Sequence, residues 1–217
     1  MSVLVDMPST MNKADALSRH FKRVSWQFEG AARVNLEIAK NLTLVEEIVN
    51  VANIIESAFR KGNKVLAMGN GGSAAQAQHL VAELVGHFIR ERDPLSALAL
   101  TSDSSVITAL SNDFGYEDIF ARQIKALSNP MDVVIGISTS GHSKNIVNGF
   151  ITARQCGSRT VAFTGEKGFN NLTRVTDVVL AVPSKSVQRI QEAHLVICHI
   201  ICDLVDLNLS HIKSNQE

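Results

Sequence analysis

The stretch VLAMGNGGSAAQAQHLVAELVGHF, residues 65–88, decides the fold. Val65-Leu66-Ala67-Met68 is a short apolar run that ends in Gly69-Asn70-Gly71-Gly72-Ser73, and an alanine-rich helical segment follows at once, near 74–88. Glycines let backbone approach a ligand closely, and Ser73 is a residue type that caps helices. Strand, glycine turn and helix make a phosphate-binding arrangement, because a helix N-terminus presents free N–H groups and the positive end of its dipole. The turn has neither the lysine of a nucleotide P-loop nor the Gly-x-Gly-x-x-Gly spacing of a dinucleotide site. The helix behind it carries His79, Glu83 and His87.

Outward from this unit the pattern repeats. Further apolar runs lie at 95–100, 132–138, 160–165 and 177–183, with helical stretches near 104–128, 144–156, 167–174 and 188–209. Strands apolar on both sides that alternate with helices form a parallel sheet covered on two faces. The expected fold is therefore α/β, a doubly wound five-stranded parallel sheet of flavodoxin or Rossmann type. Residues 11–60 read as two helices by their apolar spacing. The chain divides into an N-terminal helical arm (1–60), packed on the core and in an oligomer, and an α/β domain (61–217).

Composition bounds the function. The chain of 217 residues balances 21 Lys+Arg against 21 Asp+Glu. A general nucleic-acid binder needs surplus cations, so no nucleic-acid partner is expected. The N-terminus lacks the pattern of a secretion signal, and no apolar run approaches the roughly 20 residues of a membrane span. A cytoplasmic protein without a membrane partner is the expectation. Cys156, Cys198 and Cys202 are too few and too oddly placed for a disulfide framework, and the latter two read as core residues.

In a doubly wound sheet, ligands sit beyond the C-terminal strand ends. The loop after the third strand, Ser138-Thr139-Ser140-Gly141-His142-Ser143, sets four hydroxyls ahead of a helix N-terminus. Hydroxyls and backbone amides complete a phosphate shell without any cation. A cradle of this kind suits a phosphomonoester on a small molecule such as a sugar.

The GNGGS turn, the STSGHS loop and the RIQEAH segment (189–194) together resemble the sugar isomerase (SIS) domain, and more narrowly the bacterial phosphoheptose isomerases. The resemblance spans about residues 20–209 and includes ITALSNDFGYEDIFARQI (107–124) and CDLVD (202–206). It implies conversion of sedoheptulose 7-phosphate to D-glycero-D-manno-heptose 7-phosphate, a precursor for the lipopolysaccharide core. It implies a homotetramer with sites between subunits and a zinc ion, Zn2+, in each. Asn70, Gly71 and Gly72 of the turn, Asn112, Asp113, Ser138, Thr139, Ser140, Ser143 and Gln191 are the implied substrate contacts, and Ser73 and Glu83 are expected beside them. His79, Glu83, Gln191 and His199 are the implied metal ligands. The sequence departs from the family at His87, where arginine is common, at GEKGFNN (165–171), and at Gln188, where some members carry an acid. A DnaA initiator-associating protein shares the fold and a similar C-terminal helix. A non-catalytic protein that binds an initiator or senses a phosphosugar is therefore the alternative, and the presence of Glu83 and His199 favours the enzyme.

Aldose–ketose interconversion needs a base for a carbon-bound proton and an acid, or a metal, at the carbonyl oxygen. His79 and Glu83 are four apart and share a helix face, as a zinc-binding pair does. Glu83 is the candidate base, and its position among the metal ligands leaves both roles open. His199 is the candidate acid or ligand. Gln191 and His199 are separated by roughly 12 Å of regular helix. Either Gln191 precedes the helix, or the two serve sites built by different subunits; by the same reasoning Glu83 and His199 are expected from different chains. His194 reads as structural, and His211 lies in a polar tail.

Overall fold

In the computed structural model, which describes residues 13–210, the apolar runs become β1 (Val65–Gly69), β2 (Ala97–Ala99), β3 (Val133–Ser138), β4 (Arg159–Gly165) and β5 (Val178–Val182). All pair in parallel, in the order β2-β1-β3-β4-β5. The helices are α1 (Lys13–Lys40), α2 (Leu42–Arg60), α3 (Gly72–Val85), α4 (Ser104–Phe114), α5 (Ile119–Leu127), α6 (Lys144–Gln155), α7 (Phe169–Leu172) and α8 (Val187–Ser210). His211 lies outside the described residues.

Side-chain alternation along the strands builds two cores. Val65, Ala67, Val133, Ile135, Ile137, Val161 and Phe163 face α2, α3 and α8. Leu66, Met68, Val134 and Ala162 face α5 and α6 through Phe120, Ile124, Ile146 and Phe150. Full burial of each such aliphatic or aromatic side chain contributes about 1.5–3 kcal/mol. Central strands β1 and β3 are buried at every position, whereas edge strand β5 alternates.

Two boundaries differ from the sequence expectation. The helix expected over 104–128 is broken by Gly115, at φ 91°, into α4 and α5 with a short 3-10 turn between them. The left-handed backbone there suits glycine and ends α4. The run 95–100 contributes only three strand residues, Ala97–Ala99, paired with Val65, Leu66 and Ala67 of β1. Helix α8, with its 24 residues, is long and apolar enough by composition to cross a membrane. One face of it, with Ile190, Ile197, Ile201 and Val205, is buried among α2, α3 and the sheet, while Leu195, Val196, Ile200 and Leu207 are exposed.

Cys198 and Cys202 are free and buried, as expected of core residues, and burial pushes the Cys202 thiol up to about 12. His194 is fully buried beneath β4, and its Nε2 lies 3.1 Å from the Thr164 carbonyl oxygen. Burial pushes its pKa down to about 4, against a weaker opposing effect of that hydrogen bond. The imidazole is thus neutral in the fold and takes a proton only on unfolding. Stability is then full above the unfolded value near 6.5 and falls as pH drops toward 4, by on the order of 3 kcal/mol. His194→Gln should flatten the pH dependence of urea unfolding in that window; an unchanged slope would contradict the assignment.

Candidate active site

β1 and β3 lie side by side where the strand order reverses, with β2 beyond one and β4 beyond the other. That switch point is where doubly wound sheets bind ligands. The glycine turn leaving β1 is joined to the first turn of α6, which follows the loop leaving β3, by a reciprocal amide pair. Asn70 Nδ2 donates to Asn145 Oδ1 and Asn145 Nδ2 to Asn70 Oδ1, both at 2.9 Å. Asn145 Oδ1 also accepts the Ile146 N–H at 3.0 Å, and the Tyr116 hydroxyl donates to Asn70 Oδ1 at 2.8 Å. Asn145 and Tyr116 escaped the sequence reading, since partners 75 residues apart leave no local pattern.

Gly71, at φ 55°, is the N-cap of α3, and Ser73 is buried within the first turn. The expectation of Ser73 as the cap is thereby corrected: the positive-φ glycine makes the turn. In the hydroxyl loop, Ser138 Oγ accepts the Gly141 N–H at 3.2 Å and lies 3.3 Å from Ser143 Oγ. Ser140 Oγ accepts the His142 N–H at 3.3 Å. Ser143 is the N-cap of α6 but makes no side-chain cap hydrogen bond, so helix capping does not consume its hydroxyl. Gly141, at φ 67°, packs against Gly168 so closely that a side chain on it would collide. The loop after β4 therefore buttresses the hydroxyl loop.

Two lysines lie beside the hydroxyl loop. Lys167 and Lys185, from the loops after β4 and β5, line a cavity of about 150 Å³ together with Thr139, Ser140 and Ser184. Lys185 Nζ is 3.6 Å from Glu166, while Lys167 forms no ion pair among the described residues. Larger hollows of about 390 and 410 Å³ lie beside β5 and between α1 and α8, and contain none of the expected site residues.

The second centre is made by two helices. His79 and Glu83 on α3 meet His199 on α8, with one donor atom from each within 4.8 Å of the others. His79 Nε2 is 2.8 Å from His199 Nε2 and 3.3 Å from Glu83 Oε1. Two imidazole nitrogens and a carboxylate oxygen are a donor set that holds zinc while leaving a coordination position open. All three residues belong to one chain. The expectation that Glu83 and His199 come from different subunits is therefore corrected: packing of α3 against α8 brings them together directly.

The remaining expected residues are placed as follows. Gln191 lies within α8, which begins at Val187, so it does not precede the helix. Its side-chain amide overlies Gly72, where an added Cβ would approach Nε2 to 2.6 Å. Gln76 Nε2 donates to the Gln191 carbonyl at 2.6 Å, tying α3 to α8 again. Asn112 and Asp113 are exposed at the end of α4 and bonded to each other at 2.9 Å. Gln188 Oε1 accepts from the Ser186 hydroxyl at 2.8 Å, and His87 is exposed just beyond α3.

Two outcomes follow. Hydrogen bonds to a charged group contribute about 1.5–3 kcal/mol each, so replacing Ser140 and Ser143 together by alanine should weaken sugar-phosphate binding by at least about a hundredfold. Calorimetry checks this, and unchanged affinity would reject the cradle. Mixed oligomers of Glu83→Gln and His199→Ala chains, after subunit exchange, should recover no activity, because no site then contains both wild-type groups; recovery would show that the two act across chains.

Comparison with known proteins agrees with this fold. The SIS domain family model matches residues 28–165. The phosphoheptose isomerase of Aquifex aeolicus is 48% identical over 185 residues, covering 85% of this chain and 95% of that protein. A probable phosphoheptose isomerase of Thermoplasma acidophilum is 50% identical over 179 residues, covering 82% and 94%. Among solved structures, the phosphoheptose isomerase of Neisseria gonorrhoeae superimposes with a TM-score of 0.80 at 38% identity, covering 86% of this chain and 98% of that one. That of Francisella tularensis gives 0.82 at 37%, covering 87% and 98%. These likenesses favour an isomerase over an initiator-binding protein. The chain belongs to the SIS-domain family, among the phosphoheptose isomerases, which are aldose–ketose isomerases.

Proposed function

We propose that this chain isomerises sedoheptulose 7-phosphate to D-glycero-D-manno-heptose 7-phosphate, in the cytoplasm, as a source of heptose for the lipopolysaccharide core. The observation that carries the reading is the meeting of His79, Glu83 and His199 on the helix that begins in the glycine turn and the helix packed against it. The hydroxyl loop, Ser138 to Ser143, holds the phosphate through hydroxyls and the amides that open α6. Asn70, Gly71, Gly72 and Ser73, with Asn112 and Asp113, contact the sugar.

His79, Glu83 and His199 would hold a metal ion, and Zn2+ matches their donor chemistry. Bound there, the ion supplies a Lewis acid for the carbonyl oxygen of the sugar. Gln191 is separated from His199 by roughly 12 Å along one continuous helix, and its side-chain amide overlies Gly72 of its own chain, so it serves as a substrate contact beside the glycine turn. Glu83 divides its roles between its oxygens: Oε1 faces His79, and Oε2 takes the proton from one carbon and returns it to the next. His199 stands beside it as ligand or proton donor. The assembly is a homotetramer. Its support is the apolar surface of α1, where Phe21, Val24, Trp26 and Phe28 are all more than half exposed. The N-terminal helices then act as the assembly arm and residues 61–217 as the catalytic domain.

Loss of a general base lowers turnover by about 10²–10⁴-fold. Glu83→Gln should therefore remove turnover of sedoheptulose 7-phosphate while leaving its binding within a few-fold. Elemental analysis should find zinc in the wild-type protein, and chelation should abolish turnover. A wild-type protein that fails to convert this sugar would overturn the proposal, and comparable turnover in Glu83→Gln would exclude Glu83 as the base.

A further inference from the structure

Beyond α3 the chain turns through residues 86–95, and one buried ion pair organises the turn. Arg92 and Asp206 have side chains 4% and 0% exposed, with Nε 2.6 Å from Oδ1. Asp206 Oδ2 accepts three successive backbone N–H groups, from Phe88 at 3.2 Å, Ile89 at 3.0 Å and Arg90 at 3.3 Å. The Arg92 guanidinium donates to the carbonyls of Glu83 and Leu84, both at 2.9 Å, and of Gly86 and Asp93, both at 3.2 Å. It thus covers carbonyls that the C-terminus of α3 leaves without helical partners. Burial alone would raise the Asp206 carboxyl, but the hydrogen bonds and charge of Arg92 and the N–H groups of the turn hold it below the usual carboxylate value.

A buried ion pair is a poor source of net stability, since removing two charges from water offsets their attraction. Its geometry gives it another use. Asp206 belongs to α8, which carries His199; Arg92 grips the carbonyl of Glu83 itself, one turn after His79. Phe88, whose N–H is held by Asp206, stacks on the His199 ring with centroids 5.3 Å apart and planes at 21°. His79 meets the same ring edge-on at 5.1 Å. His199 is therefore bracketed by His79 and Phe88, and both brackets lead back to the same clamp.

We infer that Arg92 and Asp206 are positioning residues that set the spacing of His79 and Glu83 relative to His199, with Phe88 fixing the plane of the His199 ring. The inference rests on the isomerase reading of that cluster. None of the three supplies a ligand atom or a proton; they act through the residues that do.

The test uses the full-length chain and two variants. Arg92→Lys keeps the charge but loses the fork that reaches four carbonyls, and Phe88→Leu removes the ring from a partly exposed position while leaving the ion pair. Each is checked for wild-type circular dichroism and oligomeric state, then titrated as apoprotein with Co2+ through its visible d–d absorption and assayed with sedoheptulose 7-phosphate. Groups that orient metal ligands change affinity or activity by about 10–100-fold. Arg92→Lys should lose at least about tenfold in Co2+ affinity and in kcat, with KM within about twofold because the phosphate cradle is untouched. Phe88→Leu should change in the same direction, with an altered Co2+ spectrum. A lower melting temperature with wild-type kcat and Co2+ affinity in both variants would reduce the pair to a structural role and overturn the inference. If Arg92→Lys fails to fold, Phe88→Leu decides alone, and wild-type values in it overturn the proposal. If the wild-type protein binds no Co2+ but the kcat loss persists at constant KM, the metal assignment fails and the positioning role stands.

Discussion

Parallel pairing of β1 with β3 is the constraint on which the rest depends. Its register sets Gly69 opposite Ile137, so both strands end at the same level and release their loops together. Residues 69–73 and 138–143 are far apart in the chain, yet Asn70 of the first and Asn145, in the helix turn that follows the second, exchange two hydrogen bonds across the gap. Each loop alone is only a turn before a helix. Side by side, at the point where the sheet changes direction, they bring amides and hydroxyls to the same end of the sheet, and the loops after β4 and β5 set Lys167 and Lys185 in a cavity with Thr139 and Ser140.

The same sheet decides where the acid and imidazoles go. Because α3 and α8 cover one face, their contact line is set by the apolar residues beneath them, including Leu80, Leu84, Ile197 and Ile201. His79, Glu83 and His199 lie at the border of that contact, partly exposed, where polar groups can meet without full desolvation. Lower on the same two helices the polar demand is larger, since Asp206 is wholly buried. It is met by a guanidinium and three peptide N–H groups, so charge and hydrogen bonding are satisfied together. The α3–α8 interface thus has an open end that suits chemistry and a closed end that holds it in register.

Much of this architecture is legible in the chain itself. Short runs such as VVIGIS and TVAFTG cannot fold as amphipathic helices, and their apolar residues on both sides require a sheet covered on two faces. Five such runs with helices between them give the doubly wound class, and the glycine turn and serine loop announce themselves by composition. The spacing of His79 and Glu83 also shows in sequence, because a helix places residues four apart on one face. Boundaries were less legible: nothing in the periodicity of 104–128 marks the break at Gly115 except the glycine itself.

What the sequence by itself determined was therefore the kinds of element, their order, and the residue types available at the strand ends. Tertiary structure alone decided the partnerships. That His199 meets His79 within one chain, that Asn145 and Tyr116 converge on Asn70, and that Arg92 reaches from one loop to Asp206 on α8 all depend on contacts between residues 46 to 120 positions apart. Local pattern encodes which way a side chain faces on its own helix or strand. It does not encode which other element packs there, because that is settled by the burial of two apolar faces against one sheet, and the polar residues at their borders meet as a consequence.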